Sequence, residues 1–132
     1  MKRFEFNKLI RSKLPSRMIQ EGVVIKSKKL DDQEYLFYLK QKLLEEASEV
    51  VDTETPSDLT RELADVLEVI FAIAAANNIS LETIENERLK KLEINGKFAK
   101  EHYVHYIEVS EDNKKVIDYL LNKNRPYNFS SS

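Results

Sequence analysis

The fold of this chain is decided by residues 31–77, which read DDQEYLFYLKQKLLEEASEVVDTETPSDLTRELADVLEVIFAIAAAN. Apolar residues recur along this stretch at spacings of three and four, which is the period of an amphipathic helix. The pattern breaks once, around residues 52–55, and each half begins with a residue that can cap a helix. The stretch therefore predicts two long helices joined by a short linker, and such a linker makes them antiparallel neighbours.

The first long helix is predicted to begin after Asp31 and to end near Asp52. Asp31 is followed three residues later by Glu34, and this pair is the sequence pattern of a capping box, in which each side chain bonds the other residue's backbone N–H. Its core face is predicted from the apolar residues that recur every third or fourth position, namely Leu36, Leu39, Leu43, Ala47 and Val50.

The second long helix is predicted to begin after Thr55 and to end near Asn77. Thr55 can accept a backbone hydrogen bond as the cap, and Pro56 suits the first helical position because its missing N–H would be unpaired there anyway. The C-terminal half is so rich in alanine and isoleucine that we expect this half to be buried on all sides, which marks the helix as the central one. Its predicted core face comprises Leu59, Leu63, Val66, Ile70 and Ile73.

Shorter elements are predicted before the first long helix. Asn7 can cap a helix over residues 7–13, and Pro15 limits its continuation. A short turn is expected to follow and to end at Gly22. We expect residues 23–25 to form a loop.

Beyond the second long helix, Ser80 can cap a third helix that continues through Leu92 and should stop before Gly96. Residues 103–109 alternate weakly, as a short extended segment would, and residues 112–122 have a helical pattern. We expect one domain over residues 1–129 and a disordered tail at residues 130–132.

The composition favours a single all-α bundle around the central antiparallel helix pair. The 132 residues are 42% hydrophobic, which is enough to bury a core, and they fit one domain. Only two glycines and three prolines are present, whereas hairpins and barrels use many of these residues at their turns. Cysteine is absent from the sequence, which excludes disulfides and the thiolates of structural zinc sites.

Charge and hydropathy indicate a cytoplasmic protein. The 21 basic and 23 acidic residues give a net charge of −2, so the chain has no general attraction for a nucleic acid polymer or an acidic membrane surface. The longest apolar run, residues 69–76, is too short to span a membrane, and the first residues lack a signal-peptide pattern. Any recognition of anions must therefore be local.

Four carboxylates on the two long helices form the candidate metal site. Glu46 and Glu49 are three residues apart, as are Glu62 and Asp65, so each pair projects from one side of its helix. Both pairs are rotated in the same sense from the apolar face and lie at similar heights relative to the linker. In an antiparallel helix pair, this arrangement brings all four carboxylates to one edge of the groove.

A divalent cation would relieve the mutual repulsion of these carboxylates. Oxygen ligands without cysteine favour Mg²⁺, with Mn²⁺ as the alternative. Neither His102 nor His105 lies in the Glu-x-x-His motif of di-iron bundles, which argues against a ferritin-like oxidase.

An alternative interpretation is that these acids are the solvated faces of amphipathic helices. Lys42 lies four residues before Glu46, and Arg61 lies four residues before Asp65, so helical ion pairs are available. A chain of this kind would be a non-catalytic interaction module, and Mg²⁺ would not stabilise it.

The motifs around these acids resemble those of a known family. Residues 44–49 and 61–66 match the E-E-x-x-E and E-x-x-D signature of the MazG-like all-α nucleoside triphosphate pyrophosphohydrolases. Residues 6–15 resemble the N-K-L-I-R-D-K-I-P opening of the phosphoribosyl-ATP pyrophosphohydrolase-like branch, and residues 91–98 resemble its K-x-x-x-x-G-G-F. The resemblance covers residues 6–100.

The resemblance implies hydrolysis between the α and β phosphates, which gives a nucleoside monophosphate and pyrophosphate, in a homodimer or homotetramer. Glu45, about 100° round the helix from Glu46, could orient or deprotonate the attacking water, but it also points furthest from the apolar face and could simply be a solvated residue. Ser12 and Lys97 depart from the family pattern by replacing an Asp and a second Gly, so the contacts of those positions are not carried over. The implied metal ligands are Glu46, Glu49, Glu62 and Asp65.

Phosphate groups also require cations from the protein. The candidates lie in a short N-terminal segment and on the third predicted helix: Lys8, Arg11, Lys13, Arg88 and Lys91. A Walker glycine loop is excluded, because only two glycines are present. Phe6 or Tyr35 could stack on a base, although an aromatic residue of this kind more often belongs to the core. A hydrolase of a phosphoribosylated nucleotide is the alternative within enzymes.

Overall fold

The computed structural model describes residues 1–122, and these residues form five α-helices and no β-strand. This confirms the predicted all-α fold. The chain divides into two compact units, Met1–Leu81 and a second unit that begins at Glu82. The single domain over residues 1–129 stays a prediction, and the tail at residues 130–132 lies outside the described residues. The helices are α1 (Leu14–Gln20), α2 (Asp32–Val51), α3 (Pro56–Ala76), α4 (Leu81–Asn95) and α5 (Lys114–Leu121).

Both long helices begin at the predicted caps. The Asp31 carboxylate accepts a hydrogen bond from the Glu34 backbone N–H at 2.8 Å, and the Glu34 carboxylate accepts one from the Asp31 N–H at 3.4 Å. The Thr55 hydroxyl oxygen accepts a hydrogen bond from the Asp58 N–H at 3.1 Å. These bonds satisfy donors that a helix start leaves unpaired, so the two starting points are fixed locally.

The core of the first unit lies between α2 and α3, which pack against each other. Leu39, Val69 and Ala74 are its most buried apolar residues. The prediction that the C-terminal half of α3 is buried on all sides was wrong, because Phe71, Ala75 and Ala76 in that half are exposed. Leu59 and Leu63, predicted as core, are 37% and 50% exposed.

One exposed side of α3 carries a line of apolar residues spaced four apart: Leu59, Leu63, Leu67 and Phe71. Ala47 of α2, another predicted core residue, is also exposed.

Among residues 1–122, no single helix combines the length and apolarity of a membrane span. Helices α3 and α4 meet that test only when they are counted together as a bent pair, by length and composition.

The predicted helix over residues 7–13 was wrong. The first helix, α1, begins at Leu14, and Pro15 lies in its first turn. Proline is tolerated there because the first N–H groups of a helix have no partner within it, so Pro15 begins a helix rather than ending one. Residues 23–25 form a loop as predicted, and Gly22 precedes them with a φ of 87°.

The second unit contains α4 and α5. Helix α4 continues through Leu92 to Asn95 and ends before Gly96, as predicted, and Gly96 has a φ of 81°. Residues 103–109 belong to no strand, so the predicted extended segment does not join a sheet. A lone alternating segment has no neighbour with which to form ladder hydrogen bonds. Helix α5 confirms the helical pattern of residues 112–122, with Asn113 as its cap.

Candidate metal centre and active site

Three carboxylates from α2 and α3 converge at one point. One oxygen atom from each of Glu46, Glu62 and Asp65 lies within 4.8 Å of the other two. All three side chains are half-buried, with Glu46 contributed by α2 and the other two by α3. The two caps and the short linker set the register of α2 against α3, and this register brings the three oxygens together.

Glu49, the fourth predicted ligand, acts on the same group of charges. The pKa of Glu62 is raised above its usual value first by partial burial and then by the carboxylates of Asp65, Glu49 and Glu46. A hydrogen bond with Asp65 also raises the pKa of Glu62. The four predicted ligands therefore influence one site electrostatically, and their role in metal binding stays a prediction.

The donor set fits a hard divalent cation. Glu46, Glu62 and Asp65 present carboxylate oxygens at separations that one ion can bridge, and their repulsion raises the cost of keeping them all ionised. Among residues 1–122, these three carboxylates are the group of potential metal-binding side chains that lie close enough together to share one ion. The group contains neither histidine nor cysteine. That composition favours Mg²⁺ or Mn²⁺ over zinc.

Arg11 contacts this cluster from the N-terminal segment. Its Nη2 atom lies 2.6 Å from the Asp65 Oδ1 atom, across 54 positions of sequence. Arg61, the helical partner available to Asp65 in the alternative interpretation, pairs with Asp58 one turn earlier. Asp65 is therefore free of its helical neighbour and points towards Glu62 and Arg11.

Glu45, the predicted catalytic residue, lies between two lysines. The Lys8 Nζ atom is 3.4 Å from the Glu45 Oε1 atom, and the Lys42 Nζ atom is 3.3 Å from it. Lys42 also lies 3.7 Å from a carboxylate oxygen of Glu46. Lys42 thus connects Glu45 to the three-carboxylate cluster. On the other side of Glu45, the Lys8 ammonium also lies 5.4 Å from the Phe6 ring centroid.

The remaining predicted phosphate-binding residues are placed differently. Lys13 is exposed at the N-cap position of α1. Arg88 and Lys91 lie on α4, in the second unit, where Arg88 donates hydrogen bonds to both carboxylate oxygens of Glu85. Lys91 is exposed. The assignment of these three residues to phosphate binding stays a prediction.

A cleft of about 290 Å³ adjoins Glu45, between residues 7–9 and one side of α2. Phe37, Gln41 and Lys42 line it, and the sequence interpretation had assigned none of these to the site. Their spacing could have revealed the first two, because Phe37, Gln41, Glu45 and Glu49 follow one another every four residues along α2. The predicted base-stacking residues Phe6 and Tyr35 are not among the residues that line this cleft.

The fold and the cluster define a class of protein: an all-helical chain in which an antiparallel helix pair presents carboxylates suited to a divalent metal. A family model described as phosphoribosyl-ATP pyrophosphohydrolase matches residues 5–91, which is more than half of the chain. The chain belongs to the phosphoribosyl-ATP pyrophosphohydrolase family, within the MazG-like all-α superfamily. No curated protein and no solved structure matches it significantly.

The family match implies that the chain is a pyrophosphohydrolase. Enzymes of this family typically depend on a divalent metal. The cluster of Glu46, Glu62 and Asp65 could bind such a metal. A nucleotide substrate is consistent with the family.

Proposed function

We propose that this chain is a cytoplasmic, Mg²⁺-dependent pyrophosphohydrolase that cleaves a nucleoside triphosphate between the α and β phosphates. The products are a nucleoside monophosphate and pyrophosphate, which suits a role in clearing unwanted nucleotides. The observation that carries the proposal is the convergence of Glu46, Glu62 and Asp65 from two helices, within reach of one ion. Mn²⁺ is the alternative metal, because its ligand preferences are similar.

The proposed ligands are Glu46, Glu49, Glu62 and Asp65. When bound there, magnesium neutralises charge on the transferring phosphoryl group and lowers the pKa of a bound water molecule. Arg11 and Lys8 already lie against the carboxylates, at Asp65 and Glu45, so both can reach phosphate oxygens beside the cluster. Lys13, Arg88 and Lys91 are proposed to bind the distal phosphates.

Glu45 is proposed to orient and deprotonate the attacking water. Its carboxylate is held by the ammonium groups of Lys8 and Lys42, next to Glu46 in sequence and beside the cluster. A fixed carboxylate can accept a hydrogen bond from water and then its proton. The two lysines determine where that acceptor points.

The ligand assignment is tested with Glu49→Gln and Asp65→Asn. Each change keeps the shape of the side chain and removes one of several mutually repelling charges, so turnover should be lost while the metal-free fold is retained or stabilised. Glu68→Gln is the matched control, because Glu68 is exposed on α3 three residues after Asp65. Activity close to that of the control in both variants would contradict the four-carboxylate site.

A phosphoribosylated nucleotide is the second candidate substrate, and the family match favours it. Hydrolysis of a substrate panel separates the two: canonical and modified nucleoside triphosphates and phosphoribosyl-ATP, each with Mg²⁺.

The alternative outside enzymes is a non-catalytic helical module. For such a module, Mg²⁺ would not raise the melting temperature of the protein.

We further propose that the chain assembles as a homodimer or homotetramer. The support is the apolar line on α3, where Leu63 and Leu67 are each 50% exposed and Phe71 is 39% exposed. Contiguous exposed apolar surface of this kind is typical of an interface.

A further inference from the structure

The cleft beside Glu45 has walls of two chemical kinds. Phe37, 55% exposed, supplies an aromatic surface, and its ring meets the Tyr38 ring edge to face at a centroid distance of 5.2 Å. Asn7 and Gln41 supply primary amides, which both donate and accept hydrogen bonds. An aromatic surface with amides beside it complements a nucleobase, which has a flat face for stacking and an edge of donors and acceptors.

The backbone at Asn7 supports this arrangement. Asn7 has a φ of 48°, in the left-handed region that asparagine tolerates better than most residues. It was predicted to cap a helix over residues 7–13, but this segment is not helical. Asn7 therefore caps no helix, and it is one of the residues that line the cleft.

The size of the cleft suits part of a nucleotide. Its volume of about 290 Å³ lies at the lower end of ligand pockets, which begin near ~300 Å³. A base with its sugar is a suitable occupant, whereas a complete triphosphate would have to extend outside. The phosphate chain would extend out of the cleft at the end lined by Lys42 and Glu45, because Lys42 connects Glu45 to Glu46 there.

The distance along α2 fits a substrate that runs from the cleft to the cluster. Gln41 and Glu46 are five residues apart, which corresponds to about 7.5 Å along a helix axis and ~140° around it. Lys42 bridges this rotation, because it lines the cleft and its Nζ atom lies 3.7 Å from a carboxylate oxygen of Glu46. A ribose spans the gap between a base and its α phosphate on this scale. A base beside Gln41 would therefore place the α phosphate, rather than the γ phosphate, at the carboxylates.

We propose that this cleft is the nucleobase-binding subsite, in which Phe37 stacks on the base and Asn7 and Gln41 bind its edge. The proposal rests on the proposed function and deepens it: the substrate is recognised through its base, so base-free phosphate compounds are poor ligands.

The test measures binding of a nucleoside monophosphate and of ribose 5-phosphate by calorimetry in EDTA, together with hydrolysis of the triphosphate in Mg²⁺. The wild-type protein should prefer the monophosphate. Phe37→Ala should weaken its binding at least about fivefold, the effect of one lost stack, and Gln41→Ala about two- to tenfold, the effect of one hydrogen bond. Ribose 5-phosphate binding should be unchanged in both variants.

Gln33→Ala is the matched control, since Gln33 is an exposed amide on the same helix outside the cleft. Phe37→Leu keeps most of the side-chain volume without the aromatic face, so it should behave like Phe37→Ala if stacking is the cause. An active enzyme whose Phe37 and Gln41 variants match the control would overturn the base subsite alone. A wild-type protein that neither binds nor hydrolyses any nucleotide would overturn the proposed function itself.

Discussion

Glu62 lies in an unfavourable electrostatic environment. Partial burial and the carboxylates of Asp65, Glu49 and Glu46 all raise its pKa. Between its usual pKa of 4.5 and the raised value in the folded protein, Glu62 binds more protons when folded than when unfolded. Its contribution to stability is therefore present at low pH and is lost as the pH rises through this window.

Replacing Glu62 with Gln should stabilise the metal-free protein at pH 7, because the repulsion disappears. The advantage over wild type should shrink as the pH falls towards 4.5, where the wild-type carboxyl becomes protonated. Melting temperatures in EDTA across this pH range, with Glu68→Gln as control, measure the difference. A constant difference at every pH, or a destabilised variant at pH 7, would contradict the electrostatic account of the cluster.

Arg11 is the cation held closest to the carboxylates, 2.6 Å from Asp65. Arg11→Ala should lower kcat/KM by ~10 to 100-fold, the size of one charge-assisted contact to phosphate. Arg61→Ala is the matched control, because Arg61 is an exposed arginine paired with Asp58 on the same helix as Asp65, and surface pairs contribute little. Steady-state kinetics in Mg²⁺ compare the two; equal activities would remove Arg11 from the site.

At this scale, the sequence predicted local relationships better than distant ones. The grouping of Glu46, Glu62 and Asp65 follows from helical periodicity and a short linker, and both can be read from residue spacing. The partner of Asp65 could not be predicted in this way, because Arg11 approaches from a non-helical segment 54 positions away. The route of such a segment depends on tertiary packing, which has no periodic signal.

Among the elements, α4 carries Lys91, whose role is proposed from the family pattern. Lys91→Ala should lower kcat/KM by ~10 to 100-fold by removing a charge that stabilises the departing pyrophosphate. The affinity for Mg²⁺ should barely change, since Lys91 is no metal ligand. Lys90→Ala, at the adjacent exposed position of α4, is the control. Loss of metal affinity, or equal effects of both changes, would contradict the assignment.

The elements that were predicted correctly have strong local signals. Asp31 and Thr55 each satisfy a backbone N–H at the start of a long helix, and the apolar period then continues without interruption. The predicted elements that were wrong are those whose sequence pattern is compatible with two structures. Pro15 can end a helix or begin one, and the alternation of residues 103–109 produces a strand only if a second strand pairs with it.

For the whole molecule, the exposed apolar line on α3 is the feature that calls for an explanation. A dimer or tetramer that buries it should sediment above 15.5 kDa at micromolar concentration. Leu67→Gln should shift the protein towards the monomer by placing an amide in the interface. Val24→Gln, a change at a 76% exposed loop position, should leave the assembly unchanged. A wild-type protein that sediments as a stable 15.5 kDa species would contradict the assembly.

The proposed reaction requires the carboxylate cluster to act beside the α phosphate. The most direct test incubates the wild-type enzyme with a nucleoside triphosphate and Mg²⁺ and resolves the products by chromatography. Cleavage at the α–β bond predicts nucleoside monophosphate and pyrophosphate in equal amounts, with both lost in Asp65→Asn. Nucleoside diphosphate and orthophosphate as the products would place the site at the other end of the phosphate chain and contradict the account, even in an active enzyme.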